Sequence, residues 1–345
     1  MIIDVHSHII SPEIVRRSPM PASLGDIEGA IEAKQDAGID LTIVGSPSGA
    51  STMVPADCVD GYQRPFDQLR SYHDWLGGTV QSYPRNLRAY AYCDVYADEK
   101  SLESTAEILR DPAFVGIIAN FSGADGYLDS SRCDDFFAML AEVDVPVLLH
   151  AGPTPACGNG VTDYGMLEMV ARSCDATLGL AAIVLSGRLE QYPNLRFISS
   201  GSGGATSALA DRIDFAWKPA HWDDWIGAQR RSKKTSDLPS GPPARLGVGG
   251  RTNTAPSEMV RKLFVDTTAD GPELHLANLR VFGPEHILFG TDAPPMPTVF
   301  RDKVASIRAL PITVAEQERI FSGNALEMFD IQDITATEPV TAASR

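Results

Sequence analysis

The chain has 345 residues, 43% of them hydrophobic, with a net charge of −16 and a pI near 4.8. That acidity argues against nucleic acid or an anionic membrane as a partner, while the apolar content suffices for one large folded unit. No apolar run approaches the roughly 20 residues of a membrane-spanning helix, and the N-terminus lacks the basic and long apolar regions of a secretion signal, so a cytoplasmic location is expected.

The first element is the most telling. Residues 2–5 form a short apolar run rich in β-branched side chains, which predicts a buried strand, and His6 and His8 follow at its end. Two residues apart on extended backbone, both imidazoles face one point and can grip one metal ion. Further strands are predicted at 41–45, 88–92, 115–119, 145–149, 196–199, 263–266 and 287–290, with amphipathic helices at 27–37, 66–81, 102–109 and 134–143. Eight strands alternating with helices match a single parallel (β/α)8 barrel of the TIM type over residues 1–330, rather than an open doubly wound sheet. No glycine-rich phosphate loop follows the first strand.

One interval breaks the alternation. More than 60 residues separate Ser199 from Leu263, a long insertion after the sixth strand. Its stretch 230–256, rich in Gly, Pro, Ser and charge, reads as a lid over the barrel, a subunit contact that leaves a homodimer open, or unstructured chain. The tail 331–345 reads as frayed. Cys58, Cys93, Cys133, Cys157 and Cys174 are widely spaced with no Cys-x-x-Cys, the pattern of reduced thiols.

Barrels of this type carry their chemistry at the C-terminal ends of the strands. The first strand ends in Asp4-Val-His6-Ser-His8, the fifth in His150, and the eighth in Thr291-Asp292. Together His6, His8, His150 and Asp292 supply three nitrogens and one oxygen, a divalent-metal set, and Asp292 can also take a proton from metal-bound water. His275, in a predicted helix, and His286, at the bottom of the eighth strand, are assigned no function.

Ile-Asp-Val-His-Ser-His near the start, Leu-Leu-His150 in the middle and Leu-Phe-Gly-Thr-Asp292 near the end resemble the amidohydrolase superfamily. Order and spacing are most similar to the branch named for aminocarboxymuconate semialdehyde decarboxylase, which also holds aromatic-acid decarboxylases, a hydratase and some C–C bond hydrolases. Softer landmarks agree: Phe-Val-Gly116-Ile, Asp144-Val-Pro-Val, Tyr-Pro-Asn-Leu-Arg-Phe and Ile320-Phe-Ser-Gly-Asn324-Ala. The resemblance implies one divalent ion, usually zinc with manganese as the alternative, held by His6, His8, His150 and Asp292.

The chain departs from the branch after the sixth strand, where relatives carry a histidine followed by glycines. Here the segment reads Ser199-Ser200-Gly201-Ser202-Gly203-Gly204, with Gly201 at the histidine's position. The hydroxyls of Ser200 and Ser202 can hydrogen-bond a substrate but do not serve as general bases near neutral pH. His221 in the insertion is the replacement we expect ahead of His73, and Trp222 beside it could stack on a flat substrate. Arg64 and Arg251, with Arg212 behind them, are candidate partners for a substrate carboxylate; the arginine that relatives often carry after the second strand is missing. The expected activity is a metal-dependent carboxy-lyase acting on a small cyclic or unsaturated carboxylic acid. A hydrolase or hydratase of the same fold is the alternative, and a catalytically silent binding protein is a third reading.

Overall fold

A computed structural model describes residues 1–17, 21–49, 65–123, 126–153, 155–158, 161, 164–217, 252–269, 271–294, 296 and 299–331. Eight parallel strands follow one another around a barrel: β1 (Ile3–His8), β2 (Leu41–Gly45), β3 (Leu87–Tyr92), β4 (Phe114–Asn120), β5 (Val147–His150), β6 (Phe197–Ser199), β7 (Phe264–Asp266) and β8 (Ile287–Leu288). Each pairs with the next, and the ring closes where Val5 N–H donates to Phe289 O at 2.9 Å and His8 N–H to Ala293 O at 3.1 Å. This is the expected (β/α)8 architecture. Consecutive residues such as Ile117 and Ile118, Leu148 and Leu149, or Phe197 and Ile198 belong to two different buried clusters. That division is the period-2 alternation of a strand with one face toward the barrel interior and one toward the helices.

The helices return the chain between strands. Ile27–Asp36 starts at Asp26, whose carboxylate accepts from Gly29 N–H, and Glu99–Ile108 starts at Asp98, whose carboxylate accepts from Ser101 N–H. Asp134–Val143 ends on Asp144 in the left-handed conformation, φ 48°. Helices Phe66–Ser82, Arg172–Leu185, Pro272–Phe282 and Phe300–Arg308 complete most of the outer layer. A short antiparallel ribbon, Ser122–Gly123 with Gly126–Tyr127, lies in the loop after β4. The central stretch of the long insertion, 218–251, and the tail from 332 lie outside the described residues. No helix among the described residues is long and apolar enough to cross a membrane.

The first strand differs from its expected bounds. It runs through both histidines to His8, with an irregularity in its register against β2 between Asp4 and Ser7. A fully buried ion pair underlies this stretch. Lys34, from the following helix, donates to Asp4 at 2.7 Å and to Ser7 Oγ at 2.6 Å, while Asp4 accepts from His6 N–H, Thr291 N–H and the Thr291 hydroxyl. Asp4 thereby ties the His6 backbone to the turn that carries Asp292.

Candidate metal centre

Four side chains that are far apart in the sequence meet at the mouth of the barrel. His6 and His8 come from β1, His150 from the end of β5, and Asp292 from the turn after β8; one ligand atom from each lies within 4.8 Å of all the others. His8 Nε2 is 3.2 Å from His6 Nε2 and 2.8 Å from Asp292 Oδ1, and His6 Nε2 is 3.4 Å from that oxygen. His150 Nε2 lies 3.9 Å from it. The three rings are mutually edge-on, with interplanar angles of 86°, 89° and 85°, so they converge by their edges rather than stack.

The other ring nitrogens fix the tautomers. Nδ1 of His8 faces Gly45 O at 3.1 Å, and Nδ1 of His150 faces Ala151 O at 2.8 Å. A carbonyl only accepts, so these Nδ1 atoms carry the protons and both Nε2 lone pairs point to the common centre. His6 Nδ1 meets Asp266 Oδ2 at 2.5 Å. Three nitrogen lone pairs and a carboxylate oxygen crowded together repel one another unless a cation sits between them. Donors about 2.1 Å from a shared ion stand about 3.0–3.4 Å apart in tetrahedral or octahedral arrangements, close to the shorter spacings here. The residues therefore fit a single divalent ion.

Charge and burial pull against each other in this cluster. Burial opposes the charged form of His6, yet the carboxylates of Asp292, Asp266 and Asp4 outweigh it and raise its pKa. Burial pushes His150 down to about 4. Burial opposes ionisation of Asp292 too, but His6, His150 and His8 together hold its carboxyl well below the usual range. The Asp292 backbone is left-handed, φ 56°, a conformation that Asp tolerates better than most residues and that is often retained at functional sites. Two residues earlier, Gly290 permits close packing: a Cβ there would meet His6 Cβ at 3.0 Å and Asp266 Cβ at 3.2 Å.

Asp266 was not anticipated as a site residue. It ends β7, is fully buried, and its second oxygen accepts from Ser202 N–H at 2.8 Å and the Thr268 hydroxyl at 2.8 Å. It orients His6 and anchors the Gly-Ser turn after β6 at once. In that turn, Ser202 is buried, its hydroxyl accepts from Ala269 N–H at 3.0 Å, and its carbonyl from the Asn278 amide at 2.8 Å. Ser200 is also buried, and its N–H donates to Leu149 O. Gly201 has φ +61°, and a Cβ built there meets nothing within 4 Å. A side chain at the position that the family resemblance assigns to a histidine would therefore start out into open space.

A cavity of about 80 Å³ opens onto the cluster, lined by His8, His150, Asp292, Ser46, Ser48, Ile10, Leu24, Met296, Glu168 and Arg172. Ser200 and Ser202 are not among its lining residues. His73 is elsewhere: buried in helix Phe66–Ser82, its Nε2 accepts from Tyr92 N–H at 2.9 Å. His275 is buried in helix Pro272–Phe282, and His286 packs on Phe264 at the start of β8. Arg212 is exposed. Arg64, His221, Trp222 and Arg251 lie outside the described residues.

A family model described as Amidohydrolase matches residues 3–331. The chain belongs to the amidohydrolase family. A curated relative of this amidohydrolase is 2-amino-3-carboxymuconate-6-semialdehyde decarboxylase of Caenorhabditis elegans, 20% identical over 193 residues. That match covers 56% of the chain and 42% of the relative, so it spans less than half of the relative's length. Among solved structures, 5-carboxyvanillate decarboxylase from Sphingomonas paucimobilis superimposes with a TM-score of 0.75 at 18% identity, covering 96% of this chain and 99% of that one. Dihydroxybenzoic acid decarboxylase from Polaromonas sp. JS666, solved with bound manganese and 2-nitroresorcinol, gives 0.71 at 19%, covering 95% and 96%. At these identities the likeness to the solved structures is one of fold.

Proposed function

We propose that this amidohydrolase is a metal-dependent carboxy-lyase that removes carbon dioxide from a small cyclic or unsaturated carboxylic acid. The observation that carries the reading is the convergence of three Nδ1-fixed imidazoles and Asp292 on one point beside a cavity at the barrel mouth. The decarboxylases among the relatives supply the reaction type. His6, His8, His150 and Asp292 hold the ion. We take zinc as resident because three of the four donors are imidazoles, with manganese, present in the Polaromonas structure, as the alternative.

When bound, the ion supplies Lewis-acid stabilisation of negative charge on a substrate oxygen. The chain's own residues do the rest. Ile10, Leu24 and Met296 give the cavity apolar lining. As the C–C bond to the carboxylate breaks, its electron pair stays on the substrate carbon, and Asp292, a carboxylate at rest, relays to that carbon a proton it first takes from water or from a substrate hydroxyl. With no imidazole at Gly201, proton handling rests on Asp292 or on a group outside the described residues, His221 being our candidate.

The family's name favours a second reading, a hydrolase in which Asp292 takes the proton of an attacking water. Headspace detection of carbon dioxide from a panel of hydroxybenzoic and muconate-type acids separates the two. Metal-loaded protein should release it, and His150→Ala protein, with metal content reduced at least tenfold, should not. Hydrolysis products without carbon dioxide would replace the lyase reading with the hydrolase, and turnover by metal-free protein would remove both.

A further inference from the structure

A second cavity, of about 320 Å³, lies at the other end of the barrel from the metal donors. Its lining comes from where strands begin: Arg196 directly precedes β6, Phe264 opens β7, and Glu285 and His286 directly precede β8. Helix Asn324–Phe329 adds Glu327 and Met328, and the turn before that helix adds Arg319. The volume is that of a small-molecule pocket, roughly 300–1,000 Å³. Barrel chemistry sits at the opposite face, so it does not account for a hollow here.

The charged groups around it are braced but not used up. Arg196 Nη2 donates to the Asp144 carbonyl at 2.5 Å and to its carboxylate at 3.2 Å. Arg319 donates from Nε to Asn324 Oδ1 at 3.0 Å and from Nη2 to Glu327 at 3.2 Å. Nη1 of either guanidinium makes no hydrogen bond among the described residues. Glu327 is thus committed to Arg319, while Glu285 pairs with no Lys or Arg among the described residues. The His286 Nδ1 that lies 3.9 Å from Glu285 already donates to the Phe282 carbonyl at 2.9 Å. Phe264, on which the His286 ring packs at 4.7 Å, and Met328 supply apolar surface. Two arginines and two glutamates cancel, so the lining as a whole favours neither a cation nor an anion. What it leaves open is guanidinium N–H for a carboxylate, a carboxylate for an ammonium, and apolar surface beside them.

We propose that this cavity binds a free α-amino acid with an apolar side chain. The ligand's carboxylate lies at Arg196 and Arg319, its ammonium at Glu285, and its side chain against Phe264 and Met328. The site is separate from the metal donors and independent of the reaction carried out there.

The test is calorimetry on metal-loaded protein with three probes: phenylalanine, phenylpropionate, which lacks the ammonium, and phenethylamine, which lacks the carboxylate. Wild-type protein should bind phenylalanine about tenfold or more tightly than either fragment, the usual scale for a charge-assisted pair. Glu285→Gln should lower the affinity for phenylalanine to that for phenylpropionate, and Arg319→Gln should lower it to that for phenethylamine. Glu285 is 54% exposed, so its variant decides alone should Arg319→Gln not fold. His150→Ala, which disables the metal set at the other end, should bind phenylalanine as wild type does. The assignment is overturned if wild-type protein does not prefer phenylalanine to the fragments, if Glu285→Gln keeps the full preference, or if His150→Ala abolishes binding, which would put the amino acid at the metal donors instead.

Discussion

At the scale of single residues, the structure turns on what each imidazole does with its second nitrogen. Asp266 accepts from His6 Nδ1, and in Asp266→Asn the amide NH2 can donate to that nitrogen instead, placing the His6 proton on Nε2 where it faces the metal position. Metal affinity, read by competition with a chelator, should fall about 10–100-fold, the usual cost of losing such a partner; unchanged affinity refutes the orienting role. Asp292→Asn is a cleaner probe of proton transfer, because Asn also tolerates the left-handed backbone that Asp292 adopts. With metal loading matched to wild type, kcat should drop roughly 10² or more, and near wild-type kcat would remove the proton role. The ligand set was legible in the sequence because histidines and an aspartate at strand ends of a barrel have few other uses. Asp266 was not, since a carboxylate closing a strand reads equally as a ligand, a cap or a ligand's support. Arg172 was missed for a similar reason: after β5 nothing in the local pattern separates a helix-surface arginine from one on a cavity wall.

At the scale of elements, the strand positions were legible from β-branched apolar runs, and their ends shifted where polar side chains are buried. Strand β1 runs on through His6, Ser7 and His8 because Asp4, Lys34, Thr291 and Asp266 satisfy the polar groups that a hydropathy pattern reads as a strand's end. The helix Arg172–Leu185 and the widened turn before it, Leu167–Ala171, left no such pattern. Helix Phe66–Ser82 shows the same principle with a measurable consequence. Its His73 accepts from Tyr92 N–H of β3, so protonation would both charge a buried ring and delete that bond. Burial, aided by the positive charge of Arg70, lowers its pKa to about 3 from an ordinary 6.5. In the unfolded chain His73 takes a proton below about 6.5, whereas the folded chain resists to about 3, so stability contributed by neutral His73 is present above 6.5 and is lost as pH falls through that interval. Between pH 7 and 5.5 this group should account for about 1 kcal/mol of lost stability. In His73→Gln, whose side-chain carbonyl can accept without titrating, urea unfolding should show that much less loss over the same interval; parallel pH dependence in the two proteins would exclude His73 as the cause.

At the scale of the whole molecule, the donors are spread around the ring. His6 and His8 come from the first strand, His150 from the fifth, and Asp292 from the turn beyond the eighth, just where the barrel closes on the first. A single ion held by this set would tie opposite walls to the seam, and without one the converging lone pairs and the Asp292 carboxylate repel. The unfolded chain holds these residues far apart, so an ion bound here would favour the folded state by RT ln(1 + [metal]/Kd), about 4 kcal/mol at a thousandfold excess over Kd. Thermal unfolding of the chelated protein should therefore begin several degrees below that of the reloaded protein, and the gap should widen as free metal rises. His150→Ala, which removes the wall opposite β1 from the set, should shrink the gap sharply, whereas Arg172→Gln, which touches no donor, should leave it as in wild type. Equal unfolding temperatures for chelated and reloaded wild-type protein would show that no ion bridges the barrel mouth.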